Sequence, residues 1–163
     1  MINNIESLYN CCCFTGHRPE KLHADKTTIQ AELKREIYEA VQDGFKIFIS
    51  GMARGIDLWA ADLVLEVRKS YPDIQLFCAI PYDRFADKWP PLWQNLYYRV
   101  LAQTDDLKIF YPYFTYAAFQ VRNRWMVDHS SRIIAVYNGS TGGTYNTLQY
   151  ARRRHIEIRD IPG

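Results

Sequence analysis

Hydrophobic residues occur along this chain in two alternating patterns, short continuous runs and helical repeats. The clearest case begins at Lys46, where an apolar run over 47–49 stops at Ser50 and a loop bounded by Gly51 and Gly55 follows. Apolar residues then recur at a spacing of three or four, at Ile56, Ala60, Leu63, Val64 and Val67. Continuous β-branched and aromatic runs are typical of buried strands, and the wider spacing is typical of an amphipathic helix. The segment therefore predicts a strand, a tight loop and a helix.

The same alternation continues along the rest of the chain. Further strands are predicted at 11–14, 74–80, 107–111 and 132–137, with a short last strand at 156–158. Helices are predicted at 27–43, 56–69, 92–102 and 116–130, and from the loop at 138–147 to about His155. Because strands alternate with helices, right-handed crossovers should give one α/β domain of three layers, with helices on both faces of a mostly parallel sheet. We predict that this domain covers residues 1–163, with 1–10 as a loose lead-in.

Particular residues predict where two of these helices begin. Thr27 and Gln30 have the spacing of a capping box, which predicts the start of the first helix. Pro90 and Pro91 follow Trp89 and rule out a continuous helix before Leu92.

The charge balance and the longest apolar stretch restrict the partners of this protein. Lys and Arg number 20 against 18 Asp and Glu, and a net charge of +2 argues against a nucleic-acid partner on charge alone. The uncharged run 109–121 contains Pro112 and is shorter than the roughly 20 apolar residues of a membrane-spanning helix. No secretion signal is apparent at the N-terminus. We therefore expect a cytoplasmic protein that does not contact a membrane.

The four cysteines predict no metal site. Cys11, Cys12 and Cys13 are adjacent, without the two-residue spacer of a metal knuckle, and Cys78 lies far from them in sequence. The run instead predicts a buried strand in a reducing compartment.

Two glycine loops lie where phosphate-binding loops occur in parallel sheets. The loops 51–55 and 139–144 each follow an apolar strand and precede a helix, but neither matches G-x-G-x-x-G or a Walker loop. A lone glycine turn is more often only a turn. Because the carboxyl ends of parallel strands share one edge, the two loops together predict free backbone N–H groups facing one crevice, which suits a phosphate.

Charged side chains near these loops offer further contacts to such a ligand. Arg18, Arg54 and Arg122 could bind phosphate through forked guanidinium groups. The turn that contains His17 and Arg18 could equally be a solvated turn. Asp57 could accept a hydrogen bond from a ribose hydroxyl, or could be a first-turn carboxylate that interacts with the helix dipole.

Aromatic residues supply candidates for stacking on a base, with alternatives for each group. Trp89, Trp93, Tyr97 and Tyr98 suit the core or a homodimer interface as well as a base. Better candidates lie at a strand exit, namely Tyr111, Tyr113 and Phe114. The arginines at 152–154 are typical of a solvated helix end rather than of a nucleic-acid stripe.

The sequence does not identify catalytic residues. Ser50, His17 and Asp57 could converge, but nothing in their spacing requires it, and G-x-S-x-G is absent. Paired carboxylates are not evident either.

Several motifs resemble those of a known superfamily. SGMARGIDLWAA at 50–61 is similar to the glycine motif of the bacterial DNA-processing protein A, and Gly142-Gly143-Thr144 resembles the loop of the lysine-decarboxylase-like phosphoribohydrolases. Both belong to the SLOG superfamily. The set CCFTGHRPEKL, GMARGIDLWAAD, AIPY, RNRWMVD and IAVYNGSTGGTYNTLQYA more closely resembles its YpsA-like (DUF1273) branch.

The resemblance implies a Rossmann-like domain that binds a nucleotide or a derivative such as ADP-ribose or a dinucleotide. It implies a pocket lined by Thr15, Gly16, His17, Arg18, Gly51, Met52, Ala53, Asp57, Arg122, Asn123, Asn138, Gly142, Gly143 and Thr144. The phosphoribohydrolases carry a catalytic glutamate after this loop, whereas Gln149 in this chain cannot act as a carboxylate.

The sequence is therefore compatible with three functions. The first is binding or sensing of a small phosphorylated, nucleotide-derived ligand at the carboxyl ends of the strands, with no cofactor identified with certainty. The second is hydrolysis of the N-glycosidic bond of a nucleoside monophosphate, with Asp57 or His17 replacing the glutamate. The third is binding of single-stranded DNA, which would depend on salt.

Overall fold

Six strands and five α-helices alternate along the chain in the computed structural model, which describes residues 10–163. The strands are β1 (Cys11–Gly16), β2 (Ile47–Ser50), β3 (Gln75–Tyr82), β4 (Asp106–Tyr111), β5 (Arg132–Tyr137) and β6 (Glu157–Pro162). The helices are α1 (Lys26–Gln42), α2 (Ile56–Arg68), α3 (Pro91–Leu101), α4 (Tyr116–Asp128) and α5 (Gly143–Arg153), with a 3₁₀ turn at Pro19–Lys21. The predicted lead-in lies outside the described residues, apart from Asn10.

All six strands form one parallel sheet in the order β4-β3-β2-β1-β5-β6. The chain builds outward from β1 to β4 and then returns to the other side of β1 with β5. The strand order therefore reverses between β1 and β5, which pair with Thr15 opposite Ala135. In such sheets, ligand sites form beyond the carboxyl ends of the strands at this reversal.

Helices cover both faces of the sheet, which confirms the predicted three-layer α/β architecture. One core includes Cys12, Phe48 and Val64 and lies under α1, α2 and α3. The second includes Cys11, Cys13 and Met126 and lies under α4 and α5. Because successive strand residues point to opposite faces, a continuous apolar run such as 11–14 is needed when both faces are buried.

The buried-strand interpretation of the cysteines is confirmed. Cys11, Cys12, Cys13 and Cys78 are all buried. Burial raises the pKa of the Cys11 and Cys78 thiols to about 11 and that of Cys13 to about 12. Within residues 10–163, no group of three or more His, Cys, Asp or Glu side chains could hold a metal ion, and no helix has the length and apolarity to cross a membrane.

The start of α1 differs from the prediction. Asp25 is the N-cap, and its carboxylate accepts a hydrogen bond from the Thr28 amide at 3.1 Å. The predicted capping box of Thr27 and Gln30 is therefore wrong. Aspartate is among the preferred N-cap residues, and Asp25 places the cap two residues earlier.

The last strand is longer than predicted. β6 pairs with β5 over six positions, from Arg132 opposite Glu157 to Tyr137 opposite Pro162. The charged residues between its apolar positions obscured it in the sequence, but they are typical of an edge strand.

Candidate functional site

A polar crevice of about 300 Å³ lies at the carboxyl edge of the sheet, at the strand reversal. It collects residues that follow β1, β2 and β5, together with one face of α4. Its lining comprises Phe14, Thr15, Gly16, His17, Arg18, Lys21, Ala53, Arg54, Asp57, Phe119, Arg122, Asn123, Gly143 and Thr144.

Most of the residues that the resemblance implied meet in this crevice. The four that do not line it are Gly51, Met52, Asn138 and Gly142. Each of these four lies next to a lining residue in the chain or contacts one. The sequence did not indicate the contributions of Lys21 and Phe119, although Lys21 lies in the quoted motif CCFTGHRPEKL.

The exit of β1 requires a glycine and a neutral histidine. A Cβ atom on Gly16 would lie 2.4 Å from Cγ1 of Ile56, so the start of α2 approaches β1 at a distance that only glycine permits. His17 is buried, and its Nε2 accepts a hydrogen bond from the Asn138 amide at 3.3 Å. Burial lowers the pKa of His17, so the ring stays neutral and joins the exits of β1 and β5.

The first glycine loop is held by the side chains of two residues that flank it, Ser50 and Asp57. Ser50 Oγ donates to the Asp57 carbonyl at 2.8 Å and accepts from the Met52 amide at 3.1 Å. The Asp57 carboxylate accepts from the Ala53 amide at 3.3 Å. The amides of Met52 and Ala53 are therefore already bonded within the loop, in contrast to the expectation that this loop presents free N–H groups.

Arg122 on α4 lies against this loop rather than projecting freely into the crevice. Its side chain is buried, and Nη1 donates to the carbonyls of Gly51 and, at 3.2 Å, of Ala79. A Cβ atom on Gly51 would lie 2.5 Å from that Nη1 and 2.8 Å from Oδ2 of Asp57. Gly51 thus allows the guanidinium and the carboxylate to approach the same stretch of backbone.

Arg122 and Asp57 balance each other's charge in a buried environment. Burial raises the pKa of Asp57 to about 6, and the positive charge of Arg122 opposes that rise. Burial likewise lowers the pKa of Arg122, and the negative charge of Asp57 opposes that decrease. This pair positions the loop and leaves a titratable carboxylate in the crevice wall.

The second glycine loop opens toward the crevice at the start of α5. Gly142 is the N-cap with a φ of 139°, and the Asn146 amide makes the first hydrogen bond of the helix, to the Gly142 carbonyl. The amides of Gly143, Thr144 and Tyr145 precede that bond and have no acceptor within the helix. No atom outside the neighbouring backbone lies within 4 Å of a Cβ built on Gly143, so the space over the helix start is open.

The predicted arginines differ in their availability to an anion. Arg54 Nη1 pairs with Glu20 Oε1 at 2.8 Å. Arg18 pairs with no carboxylate of the described residues. Lys21 Nζ lies 3.5 Å from the position of a Cβ atom on Gly142, close to the start of α5. Lys21 therefore lies close to this open helix start, and Arg18 lines the same crevice as Gly143 and Thr144.

An aromatic pocket of about 790 Å³ adjoins the crevice on one side and shares Arg18, Ala53, Arg54 and Phe119 with it. Its aromatic walls are Tyr82, Phe85, Trp89, Phe114, Tyr116 and Phe119. Phe114 is 50% exposed and packs edge-on against Tyr82 at 5.5 Å between ring centroids. A half-exposed ring fixed by its neighbours offers a surface on which a planar group can pack.

The other aromatic candidates lie elsewhere. Tyr97 is in the core, and Trp93 packs against Trp59 at 5.9 Å. Tyr98, Tyr111 and Tyr113 do not line the crevice or the aromatic pocket.

Ser50, His17 and Asp57 do not form a catalytic triad. Ser50 Oγ bonds to the backbone carbonyl of Asp57, not to its carboxylate, and His17 Nε2 bonds to the Asn138 amide. Gln149 lies in a separate groove between α4 and α5.

An all-parallel sheet with helices on both faces and a polar crevice at the strand reversal defines a Rossmann-like α/β protein. The sequence model of the YspA SLOG family (YpsA) matches residues 12–161, and the chain belongs to that family. The predicted family resemblance is thereby confirmed.

Similar proteins occur in bacteria. A UPF0398 protein of Oceanobacillus iheyensis is 28% identical over 151 residues, which cover 83% of this chain and 79% of that protein. A UPF0398 protein of Bacillus thuringiensis (strain Al Hakam) is 27% identical over 155 residues, covering 90% of this chain and 84% of that protein.

The fold is similar to that of DNA processing protein A. The structure from Streptococcus pneumoniae superposes with a TM-score of 0.64 and 16% identity, over 98% of this chain and 53% of that one. The structure that describes the single-stranded DNA binding mode of the Helicobacter pylori protein superposes with a TM-score of 0.66 and 16% identity. This superposition covers 97% of this chain and 67% of that one. The chain thus spans about half the length of the Streptococcus structure.

Proposed function

We propose that this protein binds a nucleotide or a nucleotide-derived ligand in the crevice at the carboxyl ends of the strands. The observation that carries the proposal is the convergence, at the strand reversal, of the open start of α5 with Arg18, which pairs with no carboxylate of residues 10–163. Backbone N–H groups at a helix start and an arginine fork both favour phosphate.

The surrounding residues suggest how the ligand lies. A phosphate would lie over the amides of Gly143 and Thr144, with Arg18 and Lys21 matching its charge. Phe114 in the adjoining aromatic pocket would contact the base. Asp57 also lines the crevice, and its carboxylate would accept a hydrogen bond from a ribose hydroxyl. Arg122 would act by holding the first glycine loop.

A thermal-shift screen across nucleotides tests the proposal, repeated on Gly143→Asp with Gly143→Ala as the matched control. Ligand that binds only the folded state raises the melting temperature. We expect stabilisation of the native protein and of Gly143→Ala, since the added methyl group meets open space. The aspartate should repel a phosphate and abolish the shift. Equal shifts for both variants, or no shift with any nucleotide, would overturn the proposal.

Hydrolysis of an N-glycosidic bond is the second candidate, because the raised pKa of Asp57 suits an acid or base in the crevice wall. The hydrogen bond from Ala53 and the proximity of Arg122 give this carboxylate a structural task instead. We expect no free base when the purified protein is incubated with AMP or NAD and the products are separated by chromatography. Release of base that Asp57→Asn abolishes would establish the enzyme.

Binding of single-stranded DNA is the third candidate, which the fold likeness to the single-stranded DNA-binding protein of Helicobacter pylori supports. A net charge of +2 provides little long-range attraction for a polyanion. We expect a labelled oligonucleotide to bind more weakly than AMP at physiological salt, as measured by fluorescence anisotropy.

A homodimer and a cytoplasmic location remain predictions from the sequence.

A further inference from the structure

The edge strand β4 leaves apolar side chains partly uncovered. It lies at the end of the sheet away from β6 and pairs, among the described residues, with β3 alone. Leu107 and Ile109 are 42% and 44% exposed, although they lie opposite Cys78 and Ile80, which belong to the first core. Because residues directly opposite each other in a sheet share a face, the face of this core continues onto β4 with only partial cover.

Helix α3 does not close this face, because it packs on α2. Trp93 lies against Trp59 at 5.9 Å between ring centroids, and Arg99 pairs with Asp62 at 2.8 Å. Both of these partners belong to α2. The helix that connects β3 with β4 is therefore held over α2 and leaves the outermost strand accessible.

The opposite edge of the sheet is protected by paired charges and a proline. On β6, Arg159 pairs with Glu157 at 2.8 Å and with Glu39 of α1 at 3.4 Å. Pro162 has no backbone N–H to offer to a further strand. Features of this kind prevent sheets from joining edge to edge. The edge at β6 is therefore closed by contacts within the chain, whereas the charges of β4 are not paired in this way.

The charged residues of β4 are complementary to a second copy of the same strand. Asp106 and Lys108 flank Leu107, are exposed, and form no ion pair within residues 10–163. In an antiparallel pair of strands centred on Leu107, each Asp106 would lie opposite the partner's Lys108, so that one two-fold axis creates both ion pairs. The two Leu107 side chains would meet on the other face, with each Ile109 diagonal to the partner's Leu107. The order of charged and apolar residues thus matches itself in this arrangement.

We propose that two copies of this chain associate through β4 in this antiparallel arrangement, which joins their two six-stranded sheets into one. The interface does not depend on a ligand. Oδ1 of Asp106 accepts a hydrogen bond from the Leu107 amide at 2.8 Å, which leaves Oδ2 for the partner's Lys108. Because the partner strand runs in the opposite direction, the two crevices would open at opposite edges of the joined sheet.

An exchange of charges on β4 tests the proposal, with association measured by sedimentation velocity over a range of protein concentrations. The native protein should form a species of twice the 19.2 kDa of one chain. Asp106→Lys and Lys108→Asp each place like charges opposite each other at two positions, so each should weaken association about tenfold or more. The double variant Asp106→Lys/Lys108→Asp restores both ion pairs with their signs reversed, and should associate like the native protein.

A mixture of variants and a control at the other edge complete the test. An equimolar mixture of the two single variants should form a mixed dimer, because one copy then carries two lysines at these positions and the other carries two aspartates. Asp160→Lys makes the same charge change at an exposed position of β6 and should leave association unchanged. A native protein that stays at 19.2 kDa at every concentration would overturn the proposal. A dimer that is insensitive to the charges of β4, or a double variant that stays monomeric, would overturn it as well.

Discussion

Gly16 shows at the scale of one residue how the crevice depends on close packing. Its missing side chain leaves room for Ile56 at the first turn of α2. The neighbouring motif residues Thr15, His17 and Arg18 can line the crevice because β1 ends directly against that turn. Other functional residues follow from contacts that no spacing reveals, such as the bond between His17 and the Asn138 amide.

Gly16→Ala should lower the free energy of unfolding by about 1 to 3 kcal/mol, the usual range for an overpacked core position. The new methyl group would lie within 2.4 to 2.7 Å of three carbons of Ile56, so strand and helix must separate. Urea denaturation followed by circular dichroism measures the change. Gly143→Ala is the control and should change the free energy by less than about 0.5 kcal/mol. Equal effects of the two changes would contradict the packing argument.

Asp57 should give an unusual dependence of stability on pH. Its pKa is raised from 3.8 to about 6 in the folded protein, so between these values the folded state binds more protons than the unfolded state. Its contribution to stability is fully present below pH 3.8 and is lost as the pH rises through about 6.

Comparison with Asp57→Asn isolates that contribution. The free energy of unfolding of the native protein, minus that of Asp57→Asn, should fall as the pH rises from 3.8 to about 6. Urea denaturation at several pH values in this range provides the measurement. A difference that rises with pH would show that Arg122 outweighs burial at this carboxylate.

At the scale of elements, the sequence predicted the strands well because most of them are buried on both faces. A run such as 132–137 has no polar break, and burial on both sides of a parallel sheet explains why. β6 was underestimated, since an edge strand accepts charged residues. The N-cap of α1 was misplaced because several polar residues precede that helix, and the choice among them depends on local backbone geometry.

The site was harder to predict than the elements that carry it. The order of strands decides which turns become neighbours. Because β5 lies beside β1, the turn after Gly16 and the helix start at Thr144 line the same crevice, although more than a hundred residues separate them along the chain. The resemblance implied the two loops, yet Lys21 and Phe119 enter the crevice only through tertiary packing.

Arg132 joins three elements at the opposite edge of the sheet. It lies buried at the start of β5 and pairs at 2.7 Å with both Asp43, which follows α1, and Glu157 on β6. Its guanidinium also lies 4.5 Å from the centroid of the Phe45 ring. Removing the charge would leave both carboxylates without this partner.

Arg132→Gln should therefore destabilise the fold by about 1 to 3 kcal/mol, because it removes the buried guanidinium to which two partly exposed carboxylates are paired. Arg99→Gln is the comparison, since Arg99 pairs with Asp62 through two bonds on an exposed surface. Arg99→Gln should change the free energy of unfolding by less than about 1 kcal/mol. Denaturant titration distinguishes the two, and a larger effect at Arg99 would refute the argument from burial.

At the scale of the whole molecule, ligand binding should protect segments that are far apart in sequence. The crevice gathers residues 14–18, 53–57, 119–123 and 143–144. Hydrogen exchange measured with and without AMP should slow the backbone amides of residues 15–18, 54–57 and 143–145. The amides of α1 should not respond. Protection confined to one of the three segments would show that the loops do not act as a single site.

Arg122 links α4 to the first glycine loop. The guanidinium is carried by α4, a wall of the groove, and is bonded to the Gly51 carbonyl in the loop beside the crevice. A shift of that helix would change this hydrogen bond, and a rearrangement of the loop would change it as well. The conformation of the first glycine loop and the position of α4 are therefore coupled through a single buried side chain.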